Sequence, residues 1–320
     1  MADILTLTMN PSVDQSCSTP FITNNAKLRC TPPKYDPGGG GINVARAITN
    51  LGGIATAIYP VGGCEGTLLI QLLNEHHLQH HGIPIAGTTR IDFSVVDDMT
   101  GKQYRFNMPG APMTTDEWHA CIHALTDRPA PAYLVLSGSL PPGVPAEFYS
   151  HVIDAFKDTD CRIILDTSGK PLQRATQQHV FFLKPNLREL GELTGHPIDD
   201  EDTLITQAKQ LIDKGTCDAL AVSLGAAGAY LFSKDCSEHI IAPLVPIHSR
   251  IGAGDSMVAG LTLALSRGHP LPSAIRYGVA AGTAAVLRSG TELCRLDDTE
   301  RLYHRITQTE ANTTACSKKP

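Results

Sequence analysis

The chain has 320 residues, of which 42% are hydrophobic and 5% aromatic, and its formal net charge is -6. This length suffices for one large α/β domain, alone or with a smaller appendage, and the acidic balance argues against nucleic-acid and membrane-surface partners. No apolar run approaches the roughly 20 residues that span a bilayer. We also expect no signal peptide, and nine cysteines without a Cys-x-x-Cys pair are typical of scattered reduced thiols. A cytoplasmic protein is expected.

The first predicted elements are a strand and a helix that follows a run of glycines. Residues 3–8 have the pattern of a buried strand, and Asp14 follows them, where open α/β sheets hold their ligands. Gly38 to Gly41 lead directly into a helical pattern that begins at Ile42. Such a junction commonly holds an anion, because the first amides of a helix are unpaired and carry partial positive charge. A flexible linker is the alternative interpretation of the four glycines.

Two separated segments predict a small sheet outside the main domain. Residues 16–37 alternate, contain prolines and include Lys27, which indicates short exposed strands. Residues 91–106 predict a hairpin that carries Arg90 and Arg105. We interpret the two segments as one discontinuous β lid inserted into the chain. The predicted lid comprises about 14–37 and 88–108.

A second core strand is predicted at 54–59, and a helix at 66–75 follows it. The tail of this helix contains four histidines, His76, His77, His80 and His81. At i,i+4 spacing such a cluster can bind a metal. A solvated helix end is the more common origin of such a cluster.

From Thr114 onward, helices and apolar strands alternate with short links. Strands are predicted at 132–136, 162–165, 180–183 and 219–222, and helices at 115–125, 146–156, 203–214, 255–267 and 271–287. This alternation predicts a doubly wound, mostly parallel sheet with helices on both faces. Polar and glycine-rich residues follow the strands and are therefore expected along one edge of the sheet. We expect one domain over 1–310 and a disordered tail over 311–320.

The segment Gly252-Ala253-Gly254-Asp255 is the strongest functional signal. Its glycines let the backbone approach a ligand closely, and the helix that follows suits a phosphate at its N-terminus. A carboxylate at Asp255 would repel a phosphate bound there, which is unfavourable unless the carboxylate takes part in the reaction. The alternative is that Asp255 only caps the helix. The motifs of P-loop enzymes, dinucleotide-binding proteins and protein kinases are missing from the sequence. Cations, a base and glycine-rich strand ends together predict phosphoryl transfer.

These motifs resemble the two signatures of the ribokinase-like (PfkB-type) carbohydrate kinases. The first signature corresponds to Gly39-Gly40-Gly41-Ile42-Asn43-Val44-Ala45-Arg46, and the second to Gly252-Ala253-Gly254-Asp255. Asn186-Leu187-Arg188-Glu189 is similar to the family's Asn-x-x-Glu element. Several further segments are most like the ribokinase-type 6-phosphofructokinases within the family. The resemblance extends from residue 3 to about 308.

The resemblance implies an ATP-dependent kinase of glycolysis that phosphorylates the 1-hydroxyl of fructose 6-phosphate to give fructose 1,6-bisphosphate. It implies that Asp255 is the general base and that the amides of Gly252, Ala253 and Gly254 form an anion hole. The implied ligands of the sugar phosphate are Asp14, Lys27, Gly39, Gly40, Asn43, Arg90, Arg105 and Ser139. The implied residues on the nucleotide side are Lys184, Asn186, Glu189, Ser223, Gly225 and Gly228.

Cofactors and assembly also follow from the resemblance. Glu189 is expected to position the Mg²⁺ of ATP through water, and the lid is expected to pair in a homodimer. A monovalent cation, K⁺, is expected at backbone oxygens of Ser249, Ile251, Ala285 and Gly290. Tagatose 6-phosphate and fructose 1-phosphate are alternative acceptors. An inactive sugar-phosphate sensor on the same fold is the alternative outside enzymes.

Three charged residues depart from the pattern of the resembled family, namely Arg250, Arg288 and Glu292. Glu292 would leave a negative charge near the phosphates if its loop borders the nucleotide. We hypothesise that Arg250 and Glu292 form a compensating ion pair there. Two independent solvent-facing charges are the alternative.

Overall fold

The computed structural model describes residues 3–288 and 290–316, with side chains described to residue 308. The strands are β1 (Ile4–Leu7), β2 (Ser12–Thr19), β3 (Lys34–Gly38), β4 (Thr56–Val61), β5 (Gln79–Pro84), β6 (Arg90–Asp97), β7 (Gln103–Phe106), β8 (Tyr133–Ser137), β9 (Arg162–Asp166), β10 (Val180–Leu183), β11 (Cys217–Ser223), β12 (Ala229–Ser233) and β13 (Ser237–Ile240). The helices are α1 (Gly40–Asn50), α2 (Gly63–Glu75), α3 (Thr115–Thr126), α4 (Phe148–Ala155), α5 (Gly169–Ala175), α6 (Leu187–Thr194), α7 (Glu201–Asp213), α8 (Ala253–Ser266), α9 (Leu271–Ala285) and α10 (Leu296–Cys316).

Nine strands form the main sheet in the order β13-β12-β11-β10-β9-β8-β1-β4-β5. All neighbours are parallel except β11–β12 and β12–β13, which form an antiparallel edge. The central strands are continuous apolar runs, because helices cover both faces of the sheet. One hydrophobic cluster lies beneath α1, α2, α8, α9 and α10, and the other beneath α3 to α7. The predicted doubly wound sheet is confirmed.

Helix α8 is buried along nearly its whole length and packs closely on α9. Two glycines make this approach possible. A Cβ on Gly260 would lie 2.8 Å from that of Ala281, and a Cβ on Gly278 would lie 2.8 Å from the backbone oxygen of Met257. Because α8 is held on all sides, its N-terminus has a fixed position at the carboxyl edge of the main sheet.

A second sheet of four strands has the order β3-β2-β6-β7. β2 pairs in parallel with β6, and the outer strands are antiparallel to their neighbours. Alternation along these strands gives the sheet two different faces. Asp14, Asp92 and Arg105 lie on one face, and Phe93 and Phe106 lie on the other. This sheet occupies the region predicted as the lid, but β2 begins at Ser12, before the predicted start at residue 14, and β3 ends at Gly38, after the predicted end at residue 37.

Several elements were not predicted, and one metal hypothesis is wrong. The edge strand β5 and the outer strand β13 are largely polar, and the helices α5 and α6 have only 7 and 8 residues. The apolar strand β12 follows the glycine-rich end of β11 and was not assigned to a strand. Because α2 ends at Glu75, His80 and His81 lie on β5 and point to opposite faces of the sheet. The ring of His80 bonds Tyr59 Oη at 2.8 Å and Asn74 Oδ1 at 3.1 Å. Across the described residues, the structure shows no metal-ligating cluster of His, Cys, Asp or Glu.

The C-terminal segment also differs from the prediction. Helix α10 continues to Cys316, whereas a disordered tail was expected from residue 311. Residues 317–320 lie outside the described part of the chain. No helix among the described residues has the length and apolar character that a membrane crossing requires.

Candidate active site

The candidate site lies where α8 begins, beneath the carboxyl ends of the central strands and beside the second sheet. Gly252 is the N-cap of α8 and has a left-handed backbone, with φ of 71°. A Cβ at this position would lie 2.4 Å from Cδ2 of Leu293. The first helical hydrogen bond runs from Ser256 N to Gly252 O at 2.8 Å. The amides of the first turn, those of Ala253 and Gly254 among them, therefore have no acceptor within the helix.

Asp255 lies in this first turn; the residue is partly exposed, and its carboxylate is enclosed largely by protein atoms. The Asn43 amide donates to Asp255 Oδ2 at 3.0 Å. Burial raises the pKa of Asp255 to about 6, and the nearby Asp166 charge acts in the same direction. The Asn43 hydrogen bond and the Lys184 ammonium oppose that rise. No side-chain hydrogen bond caps α8, so the alternative role of Asp255 as a cap is wrong. At neutral pH this carboxylate is ionised and is a proton acceptor.

The glycine run before α1 places Asn43 opposite Asp255. Gly39 has φ of 110°, which glycine adopts readily. A Cβ on Gly38 would lie 2.2 Å from Asp14 Oδ1, and one on Gly40 would lie 2.4 Å from Ser137 Oγ. The interpretation of this run as a flexible linker is therefore wrong. Close backbone approach requires each of these glycines.

A buried arginine, which the sequence analysis did not select, orients Asn43. Arg46 is only 6% exposed. Its Nη1 donates to Pro37 O at 2.7 Å and to Asn43 Oδ1 at 3.2 Å, and its Nη2 lies 3.8 Å from Asp36 Oδ1. Because the Asn43 carbonyl oxygen accepts from Arg46, its amide nitrogen faces Asp255. Asn43 and Arg46 are three residues apart on α1, a spacing that allows their side chains to meet. The sequence analysis did not use this spacing, because an arginine in a helix is ordinarily exposed.

Lys184 and Asp166 form an ion pair on the opposite side of Asp255. Lys184 Nζ lies 3.0 Å from Asp166 Oδ1, and both side chains are largely buried. Burial favours the neutral amine, yet the carboxylates of Asp166, Glu189 and Asp255 keep the pKa of Lys184 above its usual value. Lys184 was among the residues predicted for the nucleotide side, whereas Asp166 was not among the predicted site residues. A Cβ on Gly254 would lie 3.8 Å from Lys184 Nζ, so this cation lies against the start of α8.

The predicted Asn-x-x-Glu element forms a reciprocal cap at the start of α6. Asn186 N donates to Glu189 Oε2, and Glu189 N donates to Asn186 Oδ1, both at 2.9 Å. Asn186 also pairs with Ser223 in an isolated β-bridge. The fold thereby brings together the ends of β10 and β11, where two groups of predicted nucleotide residues lie.

A cavity of about 500 Å³ extends from the start of α8 toward the edge of the sheet. Its lining includes the predicted residues Ser223, Gly225, Gly228, Ala253 and Gly254. The opposite side is apolar, with Leu244, Val245, Met257, Val279 and Val286 among the lining residues. A largely apolar lining with a few polar groups is typical of small-molecule sites.

The predicted sugar-phosphate residues occupy different environments on the second sheet. Asp14 and Arg105 line one recess, and burial raises the pKa of Asp14 although Ser12 donates to its Oδ1 at 2.6 Å. Arg105 is exposed and makes no hydrogen bond or ion pair within the described parts of the chain. Arg90 instead forms an ion pair with Asp92 at 2.7 Å.

The other residues predicted for the sugar phosphate differ in how close they lie to this recess. Arg90 also donates to the backbone oxygens of Asn10 at 3.1 Å and Met108 at 3.0 Å. Ser139 Oγ accepts from the Asn10 amide at 3.1 Å, so it borders the same region. Lys27 lies in the exposed segment between β2 and β3, and the structure does not bring it into this cluster.

The backbone positions predicted for a monovalent cation lie on two loops that pack together. His248 N donates to Val286 O at 2.8 Å, and Ser249 Oγ donates to Gly290 O, also at 2.8 Å. Ala285 O accepts from Arg288 N at 3.0 Å. Ile251, the remaining position, is buried directly before Gly252. The loops adjoin the N-terminus of α8.

The hypothesis that Arg250 pairs with Glu292 is wrong. Glu292 lies 3.7 Å from Lys34 Nζ and 3.1 Å from Arg295 Nη2. β3 and the start of α10 supply these two cations, so the Glu292 carboxylate faces the second sheet. Arg288 pairs with Asp298.

Comparison with known proteins gives consistent matches over nearly the whole chain. A model of the pfkB family of carbohydrate kinases matches residues 7–298. The chain is 44% identical over 301 residues to the ATP-dependent 6-phosphofructokinase isozyme 2 of Mycobacterium tuberculosis, covering 94% of this chain and 88% of that protein. It is 32% identical over 291 residues to the 1-phosphofructokinase of Bacillus subtilis, a match that covers 90% of this chain and 95% of that protein.

Solved structures of phosphofructokinase-2 from Escherichia coli have the same fold. The potassium complex superposes with a TM-score of 0.93 at 40% identity and covers 96% of this chain and 100% of that one. The complex with fructose 6-phosphate superposes with a TM-score of 0.91 and the same coverage.

We expect Asp255→Asn to raise the melting temperature at pH 8 by about 2–4 °C. The folded pKa of Asp255 is raised, so the buried charge destabilises the fold above about pH 6 and this penalty disappears as the pH falls toward 4. The gain should therefore shrink between pH 8 and pH 5 in thermal unfolding curves. Asp166→Asn is the control and should lower the melting temperature, because it leaves Lys184 buried without its partner. A lower melting temperature of Asp255→Asn at pH 8 would contradict this account.

Proposed function

The chain belongs to the pfkB family of carbohydrate kinases, and we propose that it transfers the terminal phosphoryl group of ATP to the 1-hydroxyl of fructose 6-phosphate. The product is fructose 1,6-bisphosphate. Two relatives support this acceptor: the Mycobacterium tuberculosis protein, named a 6-phosphofructokinase, is 44% identical to this chain, and the Escherichia coli phosphofructokinase-2 solved with fructose 6-phosphate is 40% identical. The geometry of the site supports transfer of a phosphoryl group to a hydroxyl.

The observation that carries the proposal is the buried Asp255 carboxylate beside the unpaired amides of α8. With a pKa of about 6, it is ionised at neutral pH and still basic enough to accept a proton as the transition state forms. The sugar hydroxyl gives its proton to Asp255, and its oxygen bonds to the terminal phosphorus. The bond from that phosphorus to the bridging oxygen breaks, and ADP leaves. The amides of Gly252 to Gly254 stabilise the charge on the transferring group.

On the acceptor side, the second sheet supplies the charge for the sugar's 6-phosphate. Arg105 has an unpaired guanidinium directed to the face that carries Asp14. Arg90 is already bonded to Asp92 and two carbonyl oxygens, so its contribution includes holding the sheet against the loop at Asn10. Asp14 and Asn43 supply acceptors and donors for the sugar hydroxyls. Gly39, Gly40 and Ser139 border the same space, and Lys27 remains a proposed ligand that this geometry does not bring in.

On the donor side, Lys184 supplies a cation for the moving phosphoryl group, and Ser223, Gly225 and Gly228 border the nucleotide. Glu189 uses one carboxylate oxygen in its cap, which leaves the other for water on Mg²⁺. Mg²⁺ suits such a site, because it usually binds few carboxylates and keeps substrate phosphates and waters as ligands. It would neutralise charge on the phosphates.

For K⁺, the loops carrying Ser249, Ile251, Ala285 and Gly290 present several carbonyl oxygens, which are hard ligands of the kind alkali cations take. The potassium complex of the Escherichia coli relative supports this assignment. The cation would adjoin the anion hole without touching the sugar.

A second acceptor is favoured by a specific observation. The Bacillus subtilis relative is named a 1-phosphofructokinase and covers nearly the same span of the chain. Fructose 1-phosphate differs from fructose 6-phosphate in which end carries the phosphate, and the contacts of Arg105 and Asp14 decide which end lies at Asp255. Tagatose 6-phosphate differs only in the direction of one hydroxyl.

We expect ATP turnover with fructose 6-phosphate at a kcat/KM at least tenfold above that with tagatose 6-phosphate or fructose 1-phosphate, measured by coupled ADP release. Asp255→Asn should lower kcat by roughly 100-fold to 10,000-fold and leave the affinity for fructose 6-phosphate nearly unchanged. The kcat of the native protein should fall below about pH 6, where Asp255 is protonated. Absence of turnover with all three sugars would reject the enzyme and favour a sensor. Turnover of Asp255→Asn within fivefold of native would reject the base.

The second sheet generates a separate expectation about affinity. Arg105→Gln should raise the KM for fructose 6-phosphate tenfold or more, because a charge-assisted hydrogen bond is lost, and should leave the KM for ATP within about twofold. Steady-state kinetics with each substrate varied in turn measures both constants. Arg188→Gln on α6 removes an exposed guanidinium on the nucleotide side and is the control. Equal increases in both KM values for Arg105→Gln would contradict the assignment.

We further propose that the outer face of the second sheet forms a homodimer interface. Tyr35, Gln15, Phe93 and Phe106 form one row across the four strands. Phe106 is 50% exposed and its ring stacks on Phe93 with centroids 6.1 Å apart. An aromatic face and two sheet edges exposed on a small sheet are covered in stable proteins.

We expect Phe106→Asp to shift the protein from dimer to monomer in light scattering at micromolar concentration. A charge buried in this interface loses its water without gaining a partner. Ile54→Asp is the matched control, since Ile54 is 60% exposed on the link before β4 and far from this face in the fold. A native protein that is monomeric at this concentration and fully active would reject the interface.

A further inference from the structure

Arg250 is the one charged residue in the lining of the 500 Å³ cavity, as far as the described residues define it. Its neighbours in that lining are glycines, small polar residues and apolar side chains. Apolar walls beside a guanidinium strengthen its attraction for an anion, although Arg250 itself is open to solvent. The cavity therefore combines a largely apolar lining with one positive charge.

No group in the described part of the chain neutralises this charge. Arg250 is exposed, and the structure gives it neither a hydrogen bond nor an ion pair in residues 3–288 and 290–308. Glu292, the carboxylate that was expected to serve it, contacts Lys34 and Arg295 instead. An unpaired guanidinium that lines a cavity indicates an anionic ligand, and its planar donor group suits two phosphate oxygens at once.

The position of Arg250 along the cavity decides which phosphates it can reach. The transferring group must lie at the amides of Ala253 and Gly254, next to Asp255. Lys184 already lies against Gly254, 3.8 Å from where a Cβ would be. Arg250 precedes Gly252 by two residues and lines the same cavity as Gly225 and Leu244, whereas the second-sheet residues proposed for the acceptor are not in that lining. The phosphates between the transferring group and the nucleoside are the ones within its reach.

We propose that Arg250 binds the phosphates that remain on the leaving nucleoside diphosphate. This inference rests on the proposed function, since it assigns part of the nucleotide to a residue of that same site. Lys184 and Arg250 then divide the phosphate chain, with the lysine at the transferring group and the arginine at the diphosphate. Ground state and product bind Arg250 alike, so its contribution is to nucleotide affinity rather than to the chemical step.

The test compares Arg250→Gln with Arg250→Lys. Arg250→Gln should raise the Kd of ADP, measured by titration calorimetry, and the KM of ATP, each by roughly 10-fold to 100-fold. The kcat and the KM of fructose 6-phosphate should stay within about threefold. Arg250→Lys keeps the charge but loses the planar fork, so it should recover only part of the affinity. Arg174→Gln, which removes an exposed guanidinium on α5 outside the cavity, is the matched control.

Several results would overturn the proposal. An ADP Kd and an ATP KM within twofold of native for Arg250→Gln would show that the guanidinium faces solvent only. A loss of kcat with unchanged ADP affinity would place it at the transferring group instead. A native protein that binds ADP but phosphorylates no sugar would reject the proposed function, and the ADP titration of Arg250→Gln would still decide this inference.

Discussion

The burial of the Asp255 carboxylate at the N-terminus of α8 is the constraint on which the rest of the site depends. An ionised group that has lost much of its water must be held by hydrogen bonds and nearby charge, and here Asn43 and Lys184 provide them. The same burial raises the pKa of Asp255 to about 6. The ionised carboxylate therefore lowers the stability of the fold at neutral pH.

The N-termini of α1 and α8 lie side by side at the site, and each is preceded by a glycine at its N-cap. Gly252 has a left-handed backbone and leaves no room beside Leu293, while Gly40 leaves none beside Ser137. Helices α1 and α8 also pack against each other. This contact fixes the distance from Asn43 to Asp255, and the buried Arg46 fixes the orientation of the Asn43 amide.

The charges of the site are distributed over the two sheets of the fold. Lys184, Asp166 and Asp255 lie on the main sheet and its buried helix, where packing holds them in place. Arg105 and Asp14 lie on the second sheet, which joins the main domain through loops. The groups at the start of α8 and the groups on the second sheet therefore belong to different hydrogen-bonded sheets and their helices, so a substitution in one set leaves the backbone of the other in place.

By itself, the sequence determined the layered α/β fold, the second sheet and the glycine junctions at Gly39 and Gly252, because apolar periodicity and glycine runs are local signals. Only the tertiary structure decided that Arg46 is buried against Asn43, that Asp166 pairs with Lys184 and that Glu292 turns away from Arg250. These contacts join residues from separate strands and helices, and Asn43 and Asp255 are 212 residues apart. Burial and charge pairing depend on which strands and helices become neighbours. The local pattern of apolar and polar residues in the sequence does not specify those neighbours.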